Sequence, residues 1–266
     1  MTEEKTINQI ERDSVRSQII AIAIECCGDW NKIMKRIDKR EIPDDEEVEK
    51  VMNNLKCEVV TILDEEYPQA LKQIRKPPFV LFYYGDISLV QDYRKCISVV
   101  GTRHPTEHGR NATKDIIAGL NEELVIVSGM AIGIDATAHY AAMASKHKTV
   151  AVLGTGVNVC YPSYNKKLYE KIIENHLVIS EYPPDVLPVP EQFPIRNRIV
   201  AGLSKCLLVT EAKRRSGTTT TMAFALEAGR DVLCVPSNDL NDSACNLCIK
   251  DGGFLVENSD DVNALY

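Results

Sequence analysis

The spacing of hydrophobic positions changes near residue 57. Before it, apolar residues between 14 and 55 recur at helical intervals, and a Pro-Asp-Asp stretch that starts at Pro43 is typical of a helix N-terminus. This pattern predicts three short helices and a small helical domain over residues 1–56. Residues 41–66 contain ten acidic residues and two lysines, so this part of the chain should repel a polyanion.

After residue 57, short apolar runs rich in β-branched residues alternate with helical segments. Eight runs have the pattern of strands: EVVTIL, FVLFYYG, CISVVGTR, LVIVSGM, TVAVLGTG, LVISE, CLLVTEA and DVLCVPS. Continuous apolar strands separated by helices predict a parallel sheet with helices on both faces. The expected fold over residues 57–266 is therefore α/β, with a doubly wound, mainly parallel, extended Rossmann-like sheet.

The composition is typical of a soluble globular protein. The chain has 266 residues, and 44% of them are hydrophobic. No apolar run approaches the ~20 residues that span a bilayer, and the N-terminus lacks an apolar signal segment, so we expect a cytoplasmic protein without membrane contact. The nine cysteines are expected to be reduced and mostly buried. Neither the single C-x-x-C of Cys245 and Cys248 nor the histidines have metal-ligand spacing, so no metal is expected.

Four predicted strands end in turns built from small residues, at 99–103, 127–135, 152–156 and 210–221. In an open α/β sheet such turns share the carboxyl edge, where helix N-termini favour anions. The GTGVNVC turn lacks the third glycine of a dinucleotide fingerprint, so no cofactor is expected. Several anion-binding turns along one edge favour an extended polyanion. Asp135, in the second of these turns, is expected to cap a helix or to order the turn.

A basic stretch belongs to the same edge. Residues 193–230 contain seven Lys or Arg and two Glu, although the formal net charge of the chain is −7. Its candidate phosphate ligands are Arg196, Arg198, Lys213, Arg214 and Arg215. The two-residue spacing of Arg196 and Arg198 predicts different helix faces, so one is expected to contact the polyanion and the other to be structural. Phe193 is a candidate either for base stacking or for packing, and Asn197 either for contact with the polyanion or for helix capping.

Several of these segments carry a family resemblance. The motifs SGMAIGID and FPIRNRIVAGLS, in this order within residues 58–257, resemble the DprA/Smf family of DNA-processing proteins. The resemblance implies a dimeric protein that binds single-stranded DNA (ssDNA), protects it in natural transformation and loads the recombinase RecA on it. The N-terminal helices would correspond to the small SAM-like domain of the family. The usual C-terminal winged-helix-like domain is not expected in a sequence that ends at Tyr266.

The resemblance also implies a DNA-binding site without catalytic residues. Its expected members are Gly101, Arg103, Ser128, Gly129, Phe193, Arg196, Asn197, Arg198, Lys213, Ser216, Gly217 and Thr218. Two positions depart from the family pattern. Ser237 replaces a glycine that can adopt positive φ, and the Ser-Gly-Thr-Thr turn at 216–219 replaces Ser-Gly-Ser-Leu but keeps its hydroxyl groups.

Two other functions remain open from the sequence. Phosphoribohydrolases of the LOG type place a catalytic glutamate shortly after a glycine-threonine turn, and here the first carboxylate after the turn is Glu227, about two helical turns beyond the threonines. A general acid or base must lie within hydrogen-bond reach of the reacting atom, which disfavours hydrolysis. A nucleotide sensor that uses the same edge without turnover is also compatible with the sequence.

Overall fold

The computed structural model of the protein describes the backbone of residues 2–266 and the side chains of residues 12–266. Its helices are α1 (Thr2–Glu25), α2 (Trp30–Asp38), α3 (Asp45–Asn54), α4 (Glu107–Ala118), α5 (Ile134–Ala144), α6 (Lys166–Asn175), α7 (Gln192–Gly202), α8 (Gly217–Glu227), α9 (Ala244–Lys250) and α10 (Ser259–Asn263). The three N-terminal helices are confirmed, but α1 is not short as predicted, because it has 24 residues. Helix α3 starts after Asp44, whose carboxylate accepts from Glu47 N at 2.9 Å while Glu47 accepts from Asp44 N at 3.2 Å.

Nine strands form one sheet in the order β1-β2-β6-β5-β4-β3-β7-β8-β9. They are β1 (Glu58–Thr61), β2 (Val80–Gly85), β3 (Cys96–Gly101), β4 (Val125–Ser128), β5 (Thr149–Val152), β6 (Leu177–Ser180), β7 (Cys206–Glu211), β8 (Asp231–Cys234) and β9 (Phe254–Leu255). All neighbours from β6 to β9 are parallel. The α/β, mainly parallel prediction is confirmed, and all eight predicted strands are present. The ninth strand was not predicted, because two residues are too few to show a pattern.

The first two strands differ from the rest, because β1 pairs with β2 and β2 with β6 in antiparallel fashion. Their connection, residues 62–79, contains the short 3₁₀ helix Gln69–Gln73 and no α-helix. An antiparallel pair needs no crossover helix. Tyr67 fixes the connection, since its hydroxyl donates to Pro78 O at 2.7 Å.

Helices cover both faces of the sheet. Every residue of β4, β5 and β6 is buried, as expected for central parallel strands. The N-terminal helices contribute to one face, because Ile20 and Ile33 belong to the same apolar cluster as Phe82 and Leu153. The predicted boundary near residue 57 therefore separates two kinds of secondary structure that share a core. Among the described residues, no helix is both long and apolar enough to cross a membrane.

The strand order reverses at β3. From β3 the chain adds β4, β5 and β6 on one side, and then crosses over to place β7 and β8 on the other side. At such a point the connections leave neighbouring strands toward opposite faces, and a crevice opens beyond their carboxyl ends. The edge between β3 and β7 is therefore the place where the topology favours a ligand site.

Candidate nucleic-acid interface

A groove of about 390 Å³ lies at this switch point. It is formed by the end of β3, the turn between β4 and α5, the first turn of α7 and the N-terminus of α8. Eight of the twelve predicted site residues line it: Gly101, Arg103, Phe193, Arg196, Asn197, Ser216, Gly217 and Thr218. Residues more than a hundred positions apart in the chain thus meet in one concave surface.

Arg103 supplies the exposed positive charge of the groove. Its guanidinium group makes no hydrogen bond and no ion pair within the part of the chain that the structure describes, although its charge acts on Asp135. Gly101 lets the end of β3 pack closely against its neighbours, because a Cβ there would lie 2.5 Å from Ile134 Cγ1 and 2.8 Å from Glu211 O. Gly101 therefore acts through close packing, and Arg103 is the group available to a ligand.

Arg196 is buried beneath the groove, with 4% of its surface exposed. Its Nη1 donates to Gly129 O at 2.5 Å and to Val152 O, and its Nε donates to Asn197 Oδ1 at 3.1 Å. Its Nη2 donates to no atom of the described chain. Burial lowers the pKa of Arg196, and the charge of Asp135 opposes this shift. Gly129 has to be small, since a Cβ there would lie 2.7 Å from Arg196 Nη2.

Asp135 places a carboxylate on the same groove. Its Oδ2 accepts from Ala131 N at 3.3 Å, so it orders the turn as predicted. Burial raises the pKa of Asp135 to about 6, while the charge of Arg196 opposes the shift. At neutral pH the groove therefore contains a negative charge beside its cations, which the charge pattern of the sequence did not indicate.

The N-terminus of α8 is open toward the groove. Ser216 has extended backbone and makes no side-chain cap, because its Oγ donates to Lys213 O at 2.8 Å instead. A Cβ at Gly217 would meet no atom within 4 Å, and Thr218 completes this wall. The first N–H groups of an uncapped helix have no intrahelical partner and point along the positive end of the helix dipole. This N-terminus can therefore bind a phosphate.

Two other turns predicted on this edge do not offer a free helix N-terminus to the groove. Thr106 caps α4 by accepting from Gly109 N at 3.2 Å, and Glu211 accepts from Thr106 N at 2.9 Å, so a carboxylate already occupies that helix start. The turn after β5 does not line the groove. Instead its Gly154 lies directly against Phe193, where an added Cβ would be 2.7 Å from Cδ1 of the ring.

Four predicted site residues do not line the groove: Gly129, which packs against Arg196, and Ser128, Arg198 and Lys213. Ser128 is fully buried and its Oγ donates to Val99 O at 2.6 Å. Arg198 donates through Nη1 and Nη2 to the two carboxylate oxygens of Glu181, at 2.6 and 2.5 Å. Arg196 and Arg198 therefore lie on different faces of α7, as predicted, and Arg198 is the one with a structural ion pair. Lys213 is exposed in the loop before α8 and forms a backbone bridge with Ser243.

The structure also shows the local roles of Asn197, which corrects one alternative, and of Ser237. Asn197 does not cap a helix, because α7 begins at Gln192 and Asn197 lies in its interior, where its Oδ1 accepts from Arg196. Ser237 does not adopt positive φ. Its N–H donates to Asn246 Oδ1 at 2.9 Å, so the turn has a conformation that serine adopts without strain.

Comparison with known proteins identifies relatives of this chain. The family model of DNA recombination-mediator protein A matches residues 58–266. DNA processing protein DprA of Streptococcus pneumoniae is 44% identical over 208 residues, which cover 77% of this chain and 73% of that protein. DprA of Bacillus subtilis is 40% identical, and the match covers 67% of this chain and 60% of that protein. Protein Smf of Escherichia coli is 35% identical, and the match covers 74% of this chain and 54% of that protein.

Two solved structures are also similar. The X-ray structure of the pneumococcal DprA superposes with a TM-score of 0.78 at 37% identity and covers 97% of this chain and 96% of that one. A structure of DNA processing protein A from Helicobacter pylori, described for its ssDNA binding mode, superposes with a TM-score of 0.70 at 27% identity and covers 78% of this chain and 95% of that one. The chain therefore belongs to the DNA recombination-mediator protein A family, that of the DprA and Smf proteins.

Proposed function

We propose that the protein binds ssDNA through the groove between β3 and β7. The observation that carries this proposal is the convergence of three unpaired donors on one surface: Arg103, Arg196 Nη2 and the uncapped N-terminus of α8. Phe193 adds an aromatic ring to the same wall. Cationic grooves with aromatic side chains are typical of proteins that bind single strands. The similarity to a family member whose structure was described for ssDNA binding also supports the proposal.

The shape of the groove favours a single strand over a duplex. Its donors lie beyond the strand ends in a concave crevice formed by four segments of the chain. A flexible strand can enter such a crevice and expose its bases, whereas a stiff duplex presents its phosphates on a convex surface with the bases paired. We therefore expect selectivity for unpaired DNA of any sequence.

The salt dependence of binding tests this proposal. The dissociation constant of labelled oligothymidylate, measured by fluorescence anisotropy, should increase steeply with salt, with a log–log slope of about 0.7 per neutralised phosphate. Duplex DNA of the same length should bind much more weakly. Thymidine monophosphate at an equal concentration of nucleotide should not displace the strand, and displacement would instead indicate a nucleotide sensor. Binding that is independent of salt, or equal for duplex and single strand, would show that the groove does not hold a strand in this way.

The resemblance implies finer functions, which we propose on its basis: protection of ssDNA, loading of RecA, a role in transformation and a homodimeric state. Exposed apolar side chains support self-association, since Leu226, Leu247 and Phe254 lie along one cleft beside the edge strand β9. Arg214 and Asp251 on the same cleft carry opposite charges, which can pair across a two-fold interface between copies. Sedimentation over a range of protein concentrations measures this association.

Hydrolysis of a nucleotide has less support. Glu227 lies at the last residue of α8, where it is exposed and pairs with Arg75 at 3.4 Å, and it does not line the groove. Asp135 is the carboxylate that lines the groove among the described residues, and it is held by the turn that it orders. We therefore propose a binding function without turnover.

The charge of Asp135 predicts a pH dependence of binding. Because its pKa is raised to about 6, Asp135 becomes neutral as the pH falls through this value, and the groove loses its negative charge while Arg103 and Arg196 stay cationic. Affinity for oligothymidylate should therefore rise as the pH is lowered from about 7.5 to about 5.5. The measurement uses a His104→Gln background, because His104 also lines the groove and histidines titrate in this range.

The matched variant for this prediction is Asp135→Asn, whose amide oxygen can still accept from Ala131 N. It should bind oligothymidylate more tightly than its parent at pH 7.5 and show no rise in affinity on acidification. A rise of the same size in Asp135→Asn would assign the pH dependence to another group.

A further inference from the structure

A smaller pocket of about 110 Å³ adjoins the groove. It shares Arg103, Phe193 and Arg196 with the groove, and Ile132 and Tyr161 complete its wall. Two aromatic rings and two guanidinium groups therefore surround one small space that is continuous with the proposed phosphate site. The predicted set of site residues did not include Tyr161, since it lies far in sequence from the basic stretch.

Tyr161 has both free ring surface and a free hydroxyl group. It is 47% exposed, and its hydroxyl group makes no hydrogen bond within the described chain. Its ring contacts that of Phe193, with centroids 5.2 Å apart and an interplanar angle of 38°. The end of its loop is fixed, because Asn165 Nδ2 donates to Met130 O at 2.8 Å. A rigid loop thus presents a partly exposed ring whose polar end lacks a partner in the protein.

Phe193 and Tyr161 differ in what the protein itself requires of them. Phe193 lies against the backbone of Gly154, so it stabilises the turn after β5 whatever else it binds. The exposed area of Tyr161 has no such role, and aromatic rings with free surface beside phosphate-binding cations are the platforms on which unpaired bases stack. The free guanidinium group of Arg103 can also lie parallel to a base.

We propose that this pocket is a nucleobase subsite, in which Tyr161 stacks on one base of the strand whose phosphates occupy the groove. The inference rests on the proposed ssDNA function and adds to it a specific base contact. Stacking uses the π-face that all bases share, so the subsite accepts any base and requires only that the base is unpaired.

The test compares two ligands and four proteins. The ligands are a short oligothymidylate and an oligomer of the same length made of abasic nucleotides. The proteins are the parent, Tyr161→Ala, Tyr161→Phe and the matched control Tyr164→Ala. Tyr164 belongs to the same loop and is 89% exposed, but it lines neither the groove nor the pocket. Affinities are measured by competition over a range of salt, and the melting temperature of each variant is recorded.

We expect Tyr161→Ala to bind oligothymidylate about five-fold or more weakly, because a stacked base contributes roughly 1–3 kcal/mol. Its salt slope should not change, since no phosphate contact is lost. Tyr161→Phe and Tyr164→Ala should bind like the parent. The parent should bind the abasic strand more weakly than oligothymidylate, and Tyr161→Ala should weaken abasic binding no further, because the ring has no base to contact.

Two results would overturn the subsite while leaving the ssDNA function intact: oligothymidylate binding by Tyr161→Ala that equals the parent's, or an equal loss on both strands. Failure of the parent to bind either strand at low salt would overturn the ssDNA function itself. If Tyr161→Ala does not fold, Tyr161→Leu, which keeps the apolar volume without a ring, should show the same selective loss. If neither variant folds, the parent alone still tests the subsite, because equal affinity of the parent for oligothymidylate and for the abasic strand would count against it.

Discussion

Replacement of Arg198 by methionine should lower the free energy of unfolding by about 3–5 kcal/mol, because it leaves the charge of Glu181 buried without a partner. Both side chains are about 5% exposed, and the guanidinium group also donates through Nε to Lys76 O at 2.9 Å. Burial lowers the pKa of Arg198, but the charge of Glu181 and the hydrogen bonds to it, together with the nearby tyrosines, raise this pKa by more, so that the net shift is upward. Urea denaturation followed by circular dichroism measures the change.

Two control variants separate the ion pair from simple loss of volume. Arg198→Met combined with Glu181→Leu should recover much of the lost stability, because no buried charge then remains. Removal of the exposed pair between Arg75 and Glu227 by Arg75→Met should leave the denaturation midpoint almost unchanged. If Arg198→Met is as stable as the parent, Arg198 is not fixed by Glu181, and its place in the DNA interface has to be considered again.

The basic stretch shows how far charge counting can predict a site. The sequence indicates that cations gather between residues 193 and 230, but chain proximity does not show which of them make contacts within the fold instead of facing a ligand. Lys205 donates to Leu265 O and lies 5.0 Å from the centre of the Tyr266 ring, and Arg230 stacks at 4.4 Å over Tyr93. Of the seven Lys and Arg residues in this stretch, Arg196 is the one that lines the groove.

The glycine-rich turns were more informative than the charges. Strands that run into small residues identify the carboxyl edge, since the main chain there must pass close to neighbouring elements, as Gly101 and Gly129 do. The order of the strands across the sheet depends on long-range pairing that no local pattern reports. That order places the crevice beyond the carboxyl ends of the neighbouring strands β3 and β7. Arg103 is therefore exposed in the crevice, whereas Ser128 is buried within the sheet.

Carboxylates and aromatic residues of the site were the hardest to predict. Asp135 follows the buried strand β4 and Glu211 is the last residue of β7, and only the fold shows that Asp135 lines the groove while Glu211 occupies the start of α4. Glu211 thus excludes a ligand from the start of α4, whereas the start of α8 has no side-chain cap. The position of the proposed phosphate site follows from this exclusion as much as from the location of the cations.

Arg103→Ala should weaken ssDNA binding by about ten-fold to a hundred-fold, because a charge-assisted hydrogen bond to a phosphate contributes roughly 1.5–3 kcal/mol. Its melting temperature should equal that of the parent, since Arg103 makes no bond within the described chain. The salt slope should also decrease by about 0.7, which distinguishes the loss of a phosphate contact from the loss of a stacked base.

Arg110→Ala is the matched control for this variant. Arg110 is an exposed arginine on α4 that lies outside the groove, so its replacement removes the same charge from the protein without removing a donor from the site. It should bind oligothymidylate almost as tightly as the parent. If both variants lose affinity equally, the strand responds to the net charge of the protein and not to the groove. If neither loses affinity, the phosphates are bound elsewhere, and the surface between β3 and β7 has a different ligand.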